Sequence, residues 1–90
     1  MPAQMLTLDR SATFQPCRIE RIHAPAQAPE WRDWLQELGF IPGEKVMLMA
    51  RAQPGGDPLV VRVGSSTFAL RVAEAACVEV TPLEIETAAA

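Results

Sequence analysis

Residue types that usually mark a catalytic or metal-binding protein are scarce in this chain. It has one histidine and two cysteines, and only 6% of its residues are aromatic. Nucleophilic catalysis needs a serine or cysteine beside a base, and a transition-metal site needs clustered imidazole, thiolate or carboxylate ligands. His23 follows Cys17 by six residues on one predicted strand, too far along it for the two side chains to meet. The sequence therefore nominates no catalytic residue, no cofactor and no metal ligand.

Other features are missing that would mark a membrane, secreted or nucleotide-binding protein. No apolar run approaches the roughly 20 residues that span a bilayer, and the N-terminus lacks the charged and apolar regions of a signal peptide. Two cysteines are too few for a disulfide scaffold, so Cys17 and Cys77 are interpreted as small core residues. Gly55-Gly56 lacks the lysine of a phosphate-binding loop and precedes a strand. These absences favour a soluble, cytoplasmic protein without a phosphate-binding loop of this type.

The charge balance also argues against a nucleic-acid partner. Eleven acidic residues against eight basic ones give a net charge of −3 and a pI near 5.0. A protein that binds DNA or RNA normally shows a basic excess. What the chain has instead is apolar content, because 49% of its 90 residues are hydrophobic. That is enough for one small domain with a mainly aliphatic core.

Helix and strand signals alternate with strong turn signals along the chain. Apolar residues at Trp31, Trp34, Leu35 and Leu38 predict an amphipathic helix over residues 30–38 that ends at Gly39. Period-two alternation predicts strands at 17–23, 45–52, 59–63, 67–71 and 77–80, with an irregularity in the first and one helical turn at 72–76. Five short strands bury their apolar faces best as a small, bent β-barrel that the helix caps. We expect a flexible arm at 1–13, a barrel domain at 14–82 and a tail at 83–90.

The outward face of the predicted strands is the candidate binding surface. Flexible methionines beside arginines suit an adaptable protein interface, although an ordinary solvated exterior would show the same residues. Trp31 and Trp34 are expected in the core, together with Leu38, Val46, Leu48, Val61, Phe68, Leu70 and Val78. The candidate partner-binding residues are Met47, Met49, Arg51, Val60, Arg62 and Arg71.

Several segments, taken in order, resemble the FeoA family of small cytoplasmic proteins of bacterial ferrous iron transport. The resemblance covers the chain from about Cys17 to Val80. It implies an SH3-like β-barrel and a role beside the membrane-embedded GTPase permease. The matching segments are Leu38-Gly39-Phe40-Ile41-Pro42-Gly43, Pro54-Gly55-Gly56-Asp57-Pro58, Phe68-Ala69-Leu70-Arg71, Glu74-Ala75 and Val78-Glu79-Val80.

The resemblance implies a non-enzymatic accessory protein without a cofactor. Its expected partner is the cytoplasmic domain of the ferrous iron permease, and it would associate with the membrane only through that partner. Weak association into a homo-oligomer is a further possibility. Two other classes of function remain. A metal-responsive regulatory domain, as in the iron-dependent repressors, would bind divalent metal directly. A nucleic-acid-binding SH3-like barrel would show salt-dependent affinity, which fits poorly with the acidic pI.

Overall fold

Short strands separated by tight turns make up most of the computed structural model, which describes residues 5–83. All strand pairs are antiparallel, and they form one sheet. The strands are β1 (Leu6–Thr7), β2 (Cys17–Ile22), β3 (Lys45–Arg51), β4 (Leu59–Val63), β5 (Ser66–Leu70) and β6 (Val78–Pro82), in the sheet order β1-β6-β2-β3-β4-β5. The helices are α1 (Glu30–Leu38) and α2 (Val72–Ala75), and a 3-10 turn spans Leu8–Arg10.

The sheet bends around a single aliphatic core, as the sequence predicts. The mainly β, SH3-like barrel is confirmed, with six strands in the described residues where the sequence predicts about five. Phe40 is the one aromatic ring among the buried side chains of residues 5–83, and it packs 6.0 Å from the ring of half-buried Phe68. The largest fully buried side chains are Phe40, Leu8, Ile19, Leu35, Leu48, Leu59, Leu70, Val61, Val78 and Cys17.

The sixth strand comes from the segment that the sequence predicts to be an arm. Leu6 and Thr7 pair with Val80 and Glu79 of β6, and Leu8 is completely buried. From Leu6 onward the chain therefore belongs to the barrel, whose boundary lies earlier than residue 14. A two-residue strand is too short to show an alternating pattern, so the sequence does not predict β1 or its pairing with β6. Residues 1–4 and 84–90, the rest of the predicted arm and tail, lie outside the described residues.

Helix α1 has the predicted bounds, and glycine ends it. Gly39 has φ 115°, a left-handed conformation that a Cβ would disfavour. Its N–H donates to the Gln36 carbonyl at 3.0 Å, and the Phe40 N–H donates to the Leu35 carbonyl at the same distance. The chain therefore leaves the helix sharply enough to send Phe40 into the core.

The predicted burial of Trp34 is wrong. Its side chain is 38% exposed, whereas Leu35 is fully buried and Trp31 and Leu38 are half-buried against the core. Successive helical residues point about 100° apart. The side of α1 that faces the core is centred between Leu35 and Leu38, and Trp34 lies at the edge of that side. The predicted apolar stripe is wider than the surface that a single short helix presents to this barrel.

The corner after α1 is bonded to the middle of β2. Gly43 N–H donates to the Ile19 carbonyl at 2.8 Å, and Ile19 N–H donates to the Glu44 carbonyl at 2.9 Å. The β2–β6 register shifts between Ile19 and Arg21, which confirms the predicted irregularity. This shift lets Ile19 and Ile22, three residues apart, both lie in the core.

We expect the Leu48→Ala substitution to lower the free energy of unfolding by about 2–5 kcal/mol, because it removes buried methyl groups and leaves a cavity. Leu48 is 0% exposed at the centre of β3. Urea denaturation measures the change, and Met47→Ala on the same strand is the control, since Met47 is only half-buried. Equal losses for the two variants would contradict the assignment of inner and outer faces.

Candidate functional site

The outer face of β3, β4 and β5 carries the centre of the predicted binding surface. Met47 lies directly opposite Arg62, and Arg62 lies directly opposite Thr67, so the three residues form one row across the strands. The alternate residues of β3 and β4, such as Leu48 and Val61, point inward and are buried. Opposed side chains in antiparallel strands share a face. The structure therefore brings Met47 and Arg62 together, as the sequence predicts.

A bulge in β3 changes the face on which Arg51 lies. The β3–β4 register shifts between Leu48 and Ala50, so Ala50 pairs with Val60 and Arg51 pairs with Leu59, whose side chain is buried. The premise that Met47, Met49 and Arg51 share one parity is therefore wrong beyond Leu48. No glycine or proline in β3 signals this bulge.

The Arg51 side chain is engaged elsewhere, and Arg71 lies beyond the end of β5, beside α2. The Arg51 guanidinium donates to the carbonyl oxygen of Asp9 at 2.7 Å and so ties the 3-10 turn to β3. Arg71 directly precedes α2, and its backbone N–H donates to Glu74 Oε1 at 2.8 Å. Of the six predicted residues, Met47 and Arg62 form a common surface, Val60 lies in the next row and Met49 sits at the bulge.

A shallow depression of about 220 Å³ surrounds Met47, and we call it the Met47 cleft. Two cations line it, Lys45 and Arg62, and none of the ion pairs within residues 5–83 includes either of them. The predicted set omits Lys45, although it shares the strand parity of Met47, and it omits Pro16, which precedes β2 and lies on no strand. The cleft is lined by Pro16, Lys45, Val46, Met47, Arg62 and Gly64.

The remaining charged contacts lie on the side of the barrel formed by β2 and β6. His23 Nε2 is 2.7 Å from Glu79 Oε1, and Arg21 Nε is 3.5 Å from the same oxygen. Hydrogen bonding from Thr81, followed by that from Arg18, lowers the pKa of the half-buried Glu20 carboxyl. These contacts are surface ion pairs of small energetic value, and they assemble no reactive group.

Both cysteines are free, buried thiols. Burial raises the pKa of Cys17, and burial followed by the nearby charges of Glu74 and Asp9 raises the pKa of Cys77. Since the thiolate is the nucleophile and metal ligand, a raised pKa makes a thiol unreactive at neutral pH. Within residues 5–83, no group of three or more His, Cys, Asp or Glu side chains is placed to hold a metal ion.

The architecture defines the class of this protein as a small SH3-like β-barrel whose notable surfaces are suited to binding. In the part of the chain that the structure describes, no helix has the length and apolarity required to cross a membrane. The model of the FeoA domain matches residues 6–82, nearly the whole of the described chain. The chain belongs to the FeoA family, whose members are accessory factors of ferrous iron transport.

Solved structures agree with this assignment. The FeoA of Stenotrophomonas maltophilia, a zinc complex described as an SH3 domain protein and a candidate activating factor of ferrous iron transport, is 36% identical, with a TM-score of 0.76 over 84% of this chain and 89% of that one. The FeoA of Chlorobium tepidum is 25% identical, with a TM-score of 0.77 over 88% of this chain and 71% of that one.

A more distant solved structure shares the fold alone. T. acidophilum IdeR is 20% identical, with a TM-score of 0.69 over 91% of this chain but only 36% of that one. No curated protein matches the chain at a significant level.

The buried thiols predict a loss of stability at alkaline pH. Below about pH 8.5, the ordinary thiol pKa, both folded and unfolded chains keep their thiol protons. Above it the unfolded chain loses them first, because burial raises the folded pKa of Cys17 and Cys77, so the free energy of unfolding falls as pH rises. The chain has no tyrosine and one lysine, so few other groups titrate there. Urea unfolding from pH 7.5 to about pH 10 measures the slope.

A Cys17→Ala/Cys77→Ala variant is the control for this measurement. It will be less stable at every pH because of the cavities it leaves. Its stability should nevertheless change less between pH 8 and about pH 10 than that of the parent chain. Parallel curves for the two proteins would contradict the assignment of the slope to the thiols.

Proposed function

We propose that this protein is a non-enzymatic accessory factor of ferrous iron uptake that acts by contact with the cytoplasmic domain of the membrane-embedded GTPase permease. Family membership supports the transport role. A partner of this kind places the protein in the cytoplasm, at the membrane only through the permease. The accessory protein would bind one nucleotide or gating state of the permease more tightly than the other. This difference in affinity would shift the equilibrium between the two states.

The observation that carries the proposal is the Met47 cleft. Met47 is half-buried and adjoins Lys45 and Arg62, whose charges have no ion-pair partner within residues 5–83. A methionine surface adapts to the shape of a partner, and unpaired cations at its rim favour an acidic one. The cleft therefore fits an apolar side chain flanked by carboxylates on the permease domain.

We expect Met47→Asp/Arg62→Glu to abolish association with the permease domain while the barrel stays folded. The change places negative charge where an apolar and cationic surface would meet the partner, and one such mismatch at an interface centre costs about 2 kcal/mol or more. Co-purification of the two proteins measures association, and circular dichroism with urea unfolding measures the fold.

A variant with the same charge change elsewhere is the matched control. Ala26→Asp/Arg10→Glu alters exposed residues outside the cleft by the same net charge and should leave association intact. Loss of association in both variants would point to the overall charge of the chain. Retention in both would place the interface on another surface. Either result would overturn the Met47 cleft as the contact.

A metal-responsive regulator is the alternative function, and its prediction differs. It requires a divalent metal site, for which the lone His23 and the separate buried thiols supply poor ligands. We expect anaerobic calorimetry on the tag-free protein to show no stoichiometric Fe²⁺ or Zn²⁺ binding tighter than about micromolar. A tight site that is lost when Cys17, Cys77 or His23 is replaced would favour the metal sensor instead.

A further inference from the structure

Trp34 is a large aromatic side chain that the fold leaves partly in solvent. It is 38% exposed on α1, above a groove of about 450 Å³ that we call the Trp34 groove. A second depression of about 630 Å³, which reaches Pro58 and Ala69, adjoins this groove and shares Trp34 and Glu74 with it. The Trp34 groove is lined by Glu30, Trp31, Asp33, Trp34, Glu37 and Glu74.

The lining of the Trp34 groove carries four carboxylates and no base. Glu30, Asp33 and Glu37 recur at spacings of three and four residues, which puts them on one side of α1. None of the ion pairs within residues 5–83 includes any of the three. Like charges at this spacing oppose helix formation. In the free protein these carboxylates repel one another beside a partly exposed indole ring.

The arginine nearest in sequence does not relieve this arrangement. Arg32 lies between Trp31 and Asp33 in the chain, but it is absent from the lining and points about 100° from each neighbour along the helix. Arg71 lines the adjoining depression together with Trp34 and Glu74, and its backbone N–H donates to the Glu74 carboxylate, but it does not line the Trp34 groove. None of the ion pairs within residues 5–83 joins Arg32 or Arg71 to the acidic side of α1, so its carboxylates are open to a cation of a partner.

We propose that the Trp34 groove binds an arginine-containing basic segment of a partner protein. A guanidinium can stack on the exposed indole face and donate to the flanking carboxylates, which a lysine ammonium does less well because it is not planar. The same carboxylates repel phosphate and other polyanions, so the groove disfavours nucleic acid and anionic lipid. This surface goes beyond the proposed function, and it is distinct in position and opposite in charge from the Met47 cleft.

Calorimetric titration with two short peptides tests the proposal directly. One peptide alternates arginine with alanine, and the other replaces each arginine by citrulline, which keeps the shape and removes the charge. We expect saturable binding of the arginine peptide, at least about tenfold tighter than that of the citrulline peptide. Trp34→Ala should weaken the arginine peptide by about tenfold, while urea unfolding shows that the barrel remains folded. Equal affinity for the two peptides, or no effect of Trp34→Ala, would overturn the proposal.

Two charge variants separate the groove from the acidity of the whole chain. Asp33→Asn/Glu37→Gln removes two charges from the groove, and Glu20→Gln/Glu44→Gln removes two charges from elsewhere on the surface. We expect only the first variant to weaken the arginine peptide by about tenfold at physiological salt. Equal weakening by both would show diffuse attraction and overturn the site.

Analytical ultracentrifugation tests whether a second copy of the chain occupies the Trp34 groove. We expect Trp34→Ala to leave the mass of the protein in solution unchanged. A dimer that this substitution dissociates would identify a second copy as the ligand and overturn the proposal. Because these readouts use no permease, their failure would leave the Met47 contact unaffected.

Discussion

The corner between α1 and β3 holds the barrel together at its centre. Gly39 turns the chain out of the helix, which directs Phe40 into the core, and Gly43 and Glu44 then bond both backbone groups of Ile19. Those bonds join β2, which also pairs with β6, to the strands that follow. A buried backbone group without a partner is costly, so this corner determines how the two halves of the sheet meet.

Two irregularities in the strands decide where functional side chains can lie. The register shift in β2 keeps Ile19 and Ile22 in the core, and the shift in β3 rotates Arg51 away from the face of Met47. As a result, Arg51 stabilises the fold through Asp9, while Arg62 stays free beside Met47. Each shift changes the face of every later residue on its strand.

The barrel carries two surfaces of opposite character and no reactive cluster within residues 5–83. One combines Met47 with unpaired cations, and the other combines Trp34 with unpaired carboxylates. The two proposals together would let this small domain contact an acidic segment of a partner at one surface and a basic segment at the other. Binding alone would be enough for an accessory factor to regulate the permease, because selective binding to one conformational state shifts the equilibrium between states.

Local chemistry in the sequence determined the helix bounds, the cap at Gly39, most strands and the family, because each depends on residues a few positions apart. Tertiary structure alone decided what depends on distant partners. The pairing of Leu6 with Val80, the exposure of Trp34 and the bulge at Met49 all result from packing between segments far apart in the chain. Strand parity places Lys45 and Met47 on one face and could have added Lys45 to the predicted surface, whereas Pro16 reaches the same cleft only because the fold brings the start of β2 beside β3.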